Sequence, residues 1–364
     1  MKANLVSIAV LFCLLFRGIA QISAQPAPNP NAGAPATNPA RGGRGRGVPG
    51  PPATPADIAE MATLKDLPAY AGGLGDGDYS VGPQYAPAPE ATTRPDVPHG
   101  RIVQFTMDSS NSKIYPGVNA PFKRAVAVYV PSQYVAGAPA PFIVSCDQYG
   151  LSNRTGSLAT TLDNMIADHR LPAMCAVMIA NGGTERSMEY DTVSAKYTDF
   201  VESEVLPRAE TEAGVTLTKD PDGRMTLGGS SGGICAFTMA WFHPELYHRV
   251  VSYSGTFVNL QRSAEVPHGG WEYHEHLIPN NPAKPLRVWL EVAQNDNGAG
   301  TASSAYRNWV IANLRMAAVL KDKGYHYQLV YAKAAGHTDA KAIAQTFPQA
   351  LEFVWSGYPA AAAK

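Results

Sequence analysis

The residues best suited to chemistry lie in one glycine-rich run. Gly229-Ser230-Ser231-Gly232-Gly233 fits the pattern G-x-S-x-G with Ser231 at its centre. A short apolar strand, Met225 to Leu227, precedes it, and small and apolar residues with helical character follow it to Phe242. A strand that reverses sharply into a helix forces its turn residue into a strained conformation and needs flanking glycines. That geometry lifts a serine hydroxyl out of the sheet beside a helix amino end, where backbone N–H groups can stabilise an anion. A serine becomes a nucleophile at neutral pH when a base takes its proton and an acid orients the base.

His337, in Ala334-Ala335-Gly336-His337-Thr338, follows the last predicted strand, and the preceding glycine lets that loop turn over the sheet. It is the candidate base. The acid is expected after the preceding strand, Arg287–Ala293, where Asp296 sits in the polar run Gln294-Asn295-Asp296-Asn297-Gly298. Glu291 competes with it but falls inside the strand, too deep to reach an imidazole at the rim. An oxyanion hole needs two N–H donors. Gly232, next after Ser231, supplies one. The second is expected from Gln148 or Tyr149, after the strand Phe142–Ser145, with Asp147 bracing that loop.

Two further clusters offer substrate contacts. Trp271, Tyr273, His274 and His276 stand in a long connection and read as an aromatic, polar pocket wall. His274 and His276 alternate as metal ligands on a strand would, but no third ligand is evident, so no metal is expected. Arg186 and Glu189 follow the strand Cys175–Ile179. They read either as a loop brace or as an arm that recognises a polar substrate.

The elements that position these residues begin at Gly100. Eight apolar strand-like runs are interleaved, in the later part, with helical patterns at Leu158–His169, Ala195–Ala213, Ile234–Phe242, Ala305–Lys323 and Asp339–Trp355. Near-continuous apolar strands alternating with helices predict an α/β fold with a mostly parallel central sheet covered on both faces. The first two strands are too close in sequence for a helical crossover and are expected to pair antiparallel.

Ahead of this domain, residues 1–24 read as a signal peptide, with Lys2 before an apolar run from Leu5 to Phe16 and cleavage after Ala20 or Ala24. Residues 25–56 are rich in Pro, Ala and Gly and read as a disordered linker. Residues 57–99 read as an irregular segment packed on the domain, and residues 100–364 as the catalytic domain. The first 56 residues hold five basic groups and no acid, leaving 24 basic against 30 acidic residues beyond them. A mildly acidic domain argues against nucleic acid as partner. Three cysteines remain after the signal, Cys146, Cys175 and Cys235, and read as buried small hydrophobes rather than a disulfide framework.

The chain resembles the esterase branch of the α/β-hydrolase superfamily, which includes enterochelin esterase, feruloyl and acetyl xylan esterases, and S-formylglutathione hydrolase. The resemblance spans roughly Pro95 to Pro359. It is carried by Val128-Tyr129-Val130-Pro131, Arg186 through Asp191, Leu227 through Phe237, Ser254-Gly255-Thr256-Phe257 and Gly336-His337. It implies an α/β-hydrolase fold and a serine carboxylic-ester hydrolase without cofactor, with Ser231, Asp296 and His337 as nucleophile, acid and base. The expected substrate is a small or polysaccharide-linked ester, carbohydrate-linked or phenolic, met by a secreted or periplasmic enzyme that is not inserted in a membrane once its signal is removed. A siderophore esterase or an acyltransferase fits the same residues. A non-catalytic binding module is argued against by the intact set of three.

Overall fold

The computed structural model describes residues 50–147 and 158–360. The expected signal and most of the expected linker therefore lie outside the described residues, as do Gln148 and Tyr149. From Gly50 onward the chain is docked, not free: Pro52 bridges to Thr301, and the Ala53 amide donates to the Gly300 carbonyl. Helix α1, Pro55–Ala62, follows with Thr54 and Asp57 capping each other's amides, so the last residues of the expected linker, 50–56, are packed on the domain.

Nine strands form one sheet. In chain order they are β1 Gly77–Val81, β2 Arg101–Asp108, β3 Lys123–Val130, β4 Phe142–Cys146, β5 Cys175–Ile179, β6 Arg224–Gly229, β7 Arg249–Tyr253, β8 Arg287–Asn295 and β9 His326–Gly336. Their spatial order is β1-β9-β8-β7-β6-β4-β5-β3-β2. Only β3 pairs antiparallel, with β2 on one side and β5 on the other; the other pairs are parallel. The first and second of the eight expected strands do pair antiparallel. The ninth, β1, comes from the segment expected to be irregular. Its five residues lack an apolar alternation, yet they add an edge to β9, and the nearby Tyr70 hydroxyl donates to Gln328 and accepts from Trp289.

Two apolar layers cover the sheet. One holds Val288, Leu290 and Val292 of β8 with helices α3 Arg186–Tyr190, α4 Lys196–Phe200, α5 Leu206–Ala213, α6 Ser231–Phe242 and α7 Trp309–Asp322. The other holds Trp289 and Ala293 with α2 Leu158–Ala167 and α8 Ala340–Trp355. This is the two-face covering that near-continuous apolar strands require. The α4–α5 helix passes through a π-helical turn at Val201–Val205, just ahead of Pro207, which has no N–H to continue the ladder. Helix α7 starts later than its pattern suggested, because Asn308 caps the Ile311 amide and Tyr306 takes a positive φ.

The three cysteines are free and buried. Cys175 opens β5 opposite Phe142, whereas Cys146 ends β4 opposite Ile179. Four residues of offset put the two cysteines about 13 Å apart along the strands, which excludes a bridge.

Candidate active site

The carboxyl ends of β6, β8 and β9 bring three side chains into one hydrogen-bonded line. His337 Nε2 lies 2.8 Å from Ser230 Oγ, and His337 Nδ1 lies 2.5 Å from Asp296 Oδ1. Ser231, the expected nucleophile, is not the serine that meets the imidazole. The sequence satisfies the serine pattern in two frames, and the structure selects Gly228-x-Ser230-x-Gly232. Ser230 sits between β6 and α6 with φ of 58° and ψ of −125°, a strained turn conformation. Its N–H donates to the Tyr253 carbonyl, and its carbonyl accepts from Thr256 N–H, so both neighbouring segments fix it. A Cβ on Gly228 would come within 2.1 Å of the Gly232 carbonyl oxygen. Gly228 therefore tolerates no side chain, while a Cβ on Gly232 would come within 3.3 Å of Cys146 Cβ, a tight fit rather than a clash. Ser231 is instead the first residue of α6 and is buried.

A register shift aligns the other two. Ala293 of β8 pairs with Ala332 of β9, but two residues on, Asn295 pairs with Gly336. β9 therefore carries two extra residues in a bulge, with Ala334 at positive φ and its N–H held by Gln294. The bulge places His337 beside Asp296. Asp296 itself is buried; its oxygens also accept from the amides of Ala293 and Asn297. Trp309, which no sequence signal singled out, sets its ring edge-on to the His337 imidazole, 6.1 Å between centroids.

Glu291 stays inside β8, wholly buried. Burial, followed by the charge of Asp296, pushes its carboxyl well above the usual carboxylate range. It does not touch His337.

The expected pocket wall is largely core. Trp271 and Tyr273 are fully buried: Trp271 Nε1 donates to Glu275, and the Tyr273 hydroxyl lies 2.8 Å from Thr238 among Phe237, Trp241 and Phe257. His274 is buried edge-on to Trp271, and burial, with Arg315 and His276 beside it, pulls its pKa down to about 3. The segment is a π-helical turn, Tyr273–Leu277, rather than a strand, so His274 and His276 do not face the same way. His276 is exposed and meets Glu272. His268, Glu272 and Glu275 bring ligand-type atoms within 4.8 Å of one another, but Glu272 is already engaged by His276 and the His268 amide, and Glu275 by Trp271.

Glu189 is buried in an ion pair with Arg124 and accepts from the Gly182 amide, so it faces no substrate. Arg186 grips Asp147 through two bonds from Nε and one from its terminal nitrogen, and Asn181 donates to the same carboxylate. The brace is therefore what the structure shows for Arg186 and Glu189. Asp147 carries a φ of 63° at the end of β4, next to Gly232.

Sheet, strained serine turn and Ser–His–Asp line together define an α/β-hydrolase fold with a serine-hydrolase-type site. The chain belongs to the Esterase family, which matches residues 120–354. Among solved structures it is similar to the enterochelin esterase of Shigella flexneri, with a TM-score of 0.53, 19% identity and coverage of 75% of this chain. The chain spans 62% of that protein's length. It is also similar to a ferulic acid esterase, TM-score 0.54 and 17% identity, over 70% of this chain and 98% of that one. A third likeness is to the ferulic acid esterase of Anaeromyces mucronatus, TM-score 0.53 and 13% identity, covering 75% and 96% of the two chains. No curated protein matches the chain.

Proposed function

We propose that the protein is a serine carboxylic-ester hydrolase that works through an acyl-enzyme at Ser230. The observation that carries this is the continuous line from Ser230 Oγ through His337 to the buried Asp296. Ser230 Oγ attacks the ester carbonyl carbon as its proton passes to His337 Nε2. The carbonyl π bond opens onto oxygen, then re-forms as the alcohol leaves with the proton from Nε2. Water next attacks the acyl carbon, gives one proton to Nε2, and releases the acid while Ser230 regains its hydrogen. Asp296 holds the imidazole tautomer whose Nδ1–H points inward, leaving Nε2 free to accept.

With Ser230 at the turn, the amide that follows the nucleophile is that of Ser231, not Gly232. It lies at the start of α6, where no helical carbonyl reaches the first N–H groups. Ser231 N–H is thus the first oxyanion donor in this reading. The Arg186–Asp147 pair holds the end of β4 from which the second would come.

The substrate is proposed to be a carbohydrate-linked or phenolic ester met outside the cytoplasm. The likeness to ferulic acid esterases over nearly their whole length, and the apolar run behind Lys2, support this. The likeness to enterochelin esterase supports a siderophore ester as the second reading. Among the described residues no helix is long and apolar enough to cross a membrane. A panel of p-nitrophenyl acetate, methyl ferulate, acetylated xylan and a linear siderophore trimer tests the proposal. Hydrolysis of p-nitrophenyl acetate with preference for methyl ferulate or acetylated xylan is expected. Preference for the trimer would select the second reading, and hydrolysis of none, with no labelling by a fluorophosphonate, would overturn both.

A further inference from the structure

The proposed mechanism leaves one buried carboxyl group next to the triad unused. Glu291 is 0% exposed in the middle of the sheet, on the face that carries Trp289 and Ala293. Its backbone carbonyl accepts from the Ser254 N–H at 2.8 Å, and the Ser254 hydroxyl donates to its Oε2 at 3.5 Å. Ser254 is itself fully buried, at the carboxyl end of β7, with a φ of 47°. Its Oγ also accepts from the Thr338 N–H at 3.0 Å. Thr338 directly follows His337 and has a φ of 49°. Two non-glycine residues in left-handed conformations are thus tied to each other by one hydrogen bond, one residue away from the imidazole. Such conformations cost about 1–3 kcal/mol each and persist only where the surroundings over-determine them.

We propose that Glu291 and Ser254 are positioning residues: acting through the Thr338 amide, they hold the turn that keeps His337 Nε2 on Ser230 Oγ. This rests on the serine-hydrolase reading of the site. Orientation alone accounts for the need. A displacement of about 1 Å at a base lowers rate by up to about a hundredfold, and His337 follows a bulged strand end with few other ties.

The chemistry of the site sets the charge of Glu291. Asp296 beyond the end of its own strand, Asp339 at the head of α8 and the Tyr85 phenol face it, and among the described residues Ser254 is the side chain that hydrogen-bonds its carboxyl. None is a cation. Burial, then the charge of Asp296 and, to a lesser degree, that of Asp339 push its carboxyl well above the usual carboxylate range, against the lowering effect of the Ser254 hydrogen bonds. A neutral Glu291 leaves Asp296 as the single negative charge beside His337. An ionised one would place a second carboxylate behind the loop with no counter-charge.

The sign for stability follows. The folded pKa lies above the unfolded value, so the stabilisation is fully present below about pH 4.5 and declines as pH rises toward the folded pKa. Glu291→Gln keeps shape, neutrality and an acceptor for Ser254 while removing the titration.

The test compares Ser254→Ala, Glu291→Met and Glu291→Gln with wild type. The measurements are kcat and KM on p-nitrophenyl acetate, melting temperature from pH 4 to 8, and the infrared difference spectrum of wild type minus Glu291→Gln. Ser254→Ala and Glu291→Met are expected to lower kcat about tenfold with KM unchanged, the loss of one orienting hydrogen bond. Glu291→Gln should retain kcat within about twofold and gain stability over wild type as pH rises. The difference spectrum should show a protonated-carboxyl C=O band at neutral pH. The proposal is overturned if Ser254→Ala, folded, keeps wild-type kcat, or if Glu291→Gln loses activity as Glu291→Met does, since the charge would then be essential. Should Glu291→Met not fold, Ser254→Ala carries the kinetic test alone. If wild type cleaves no ester, the hydrolase reading fails, and with it the kinetic role. The infrared band and the pH dependence of melting then still show whether Glu291 is the acid form.

Discussion

Adjacent serines with opposite fates make the sharpest test of the site. Ser230→Ala removes the hydroxyl that lies 2.8 Å from His337 Nε2, and Ser231→Ala removes one that begins α6. Both substitutions delete one oxygen, and neither changes a glycine on which the turn depends. Loss of a nucleophilic serine in a comparable triad costs about 10⁶ in kcat. In kcat terms that is about 8 kcal/mol of barrier. Ser231 contributes its backbone N–H, which alanine keeps, so its hydroxyl is expected to matter by less than about tenfold, near 1 kcal/mol. Stability should hardly move in Ser230→Ala, because the removed atom leaves little cavity and the strained backbone is shared with alanine. The assay is p-nitrophenyl acetate hydrolysis together with mass-spectrometric mapping of a fluorophosphonate adduct, which is expected on Ser230. An adduct on Ser231, or an active Ser230→Ala protein beside an inactive Ser231→Ala one, would refute the reasoning from the turn.

Two more expectations follow from the same geometry. Asp296→Asn should lower kcat by about 10⁴, since an amide beside Nδ1 favours the wrong imidazole tautomer. The fold should persist, because the Asn oxygen can still accept from one of the two amides, Ala293 or Asn297, that bond the separate Asp296 oxygens, and circular dichroism with kcat on p-nitrophenyl acetate reads both. Asp57 ties α1 to the loop at Ser303. Burial acts to raise its pKa, but hydrogen bonds from Ser303 and Thr54 outweigh burial and leave it lowered to about 2. Its stabilisation is therefore present above about pH 4 and lost as pH falls through about 2. Asp57→Asn should cost roughly 1 kcal/mol at neutral pH, the size of an N-cap contribution discounted for solvent, and the gap in melting temperature should narrow from pH 5 to pH 3.

The sheet was legible because buried parallel strands must be apolar throughout. The runs at Ile102, Ala125, Phe142, Cys175 and Val250 lie in strands whose ends differ by at most two residues from the apolar run itself, whereas β8 and β9 run on past the Val288 and Tyr327 runs to Asn295 and Gly336. β1 was not legible, since Gly77-Asp78-Tyr79-Ser80-Val81 joins the sheet by backbone pairing and by Tyr70 rather than by an apolar pattern. Asp296 and His337 were legible from where strands end. The choice between Ser230 and Ser231 was not, because four glycines flank two serines and satisfy the pattern twice. It is decided by where β6 stops and α6 starts, a boundary that a run of Gly and Ser leaves open. The cluster from Trp271 to His276 misled for a related reason. Aromatic residues in a long connection line a pocket or fill a core equally well, and here the connection folds against α6, so Tyr273 is enclosed by Phe237 and Trp241.

What composition hides most completely is strain. Among the described residues, seven that are not glycine have positive φ, and five of them, Asp147, Ser230, Ser254, Ala334 and Thr338, lie at the carboxyl ends of β4, β6, β7 and β9. With Asp296 just past the end of β8, these sit along one rim of five consecutive strands. A random scatter of strained residues would not gather there. At about 1–3 kcal/mol each the set is costly, and glycine at each position would remove much of the cost. The side chains retained instead have work at three of the five: Ser230 meets His337, Asp147 is held by Arg186 and Asn181, and Ser254 ties Glu291 to the Thr338 backbone N–H. Ala334 and Thr338 fit differently, since the structure uses their backbone N–H groups, on Gln294 and on Ser254, rather than their side chains. The Ser230–His337–Asp296 line is thus aimed by backbone turns that the rest of the sheet is stable enough to hold, and it is at those turns, rather than in the apolar strands, that substitution should separate activity from folding.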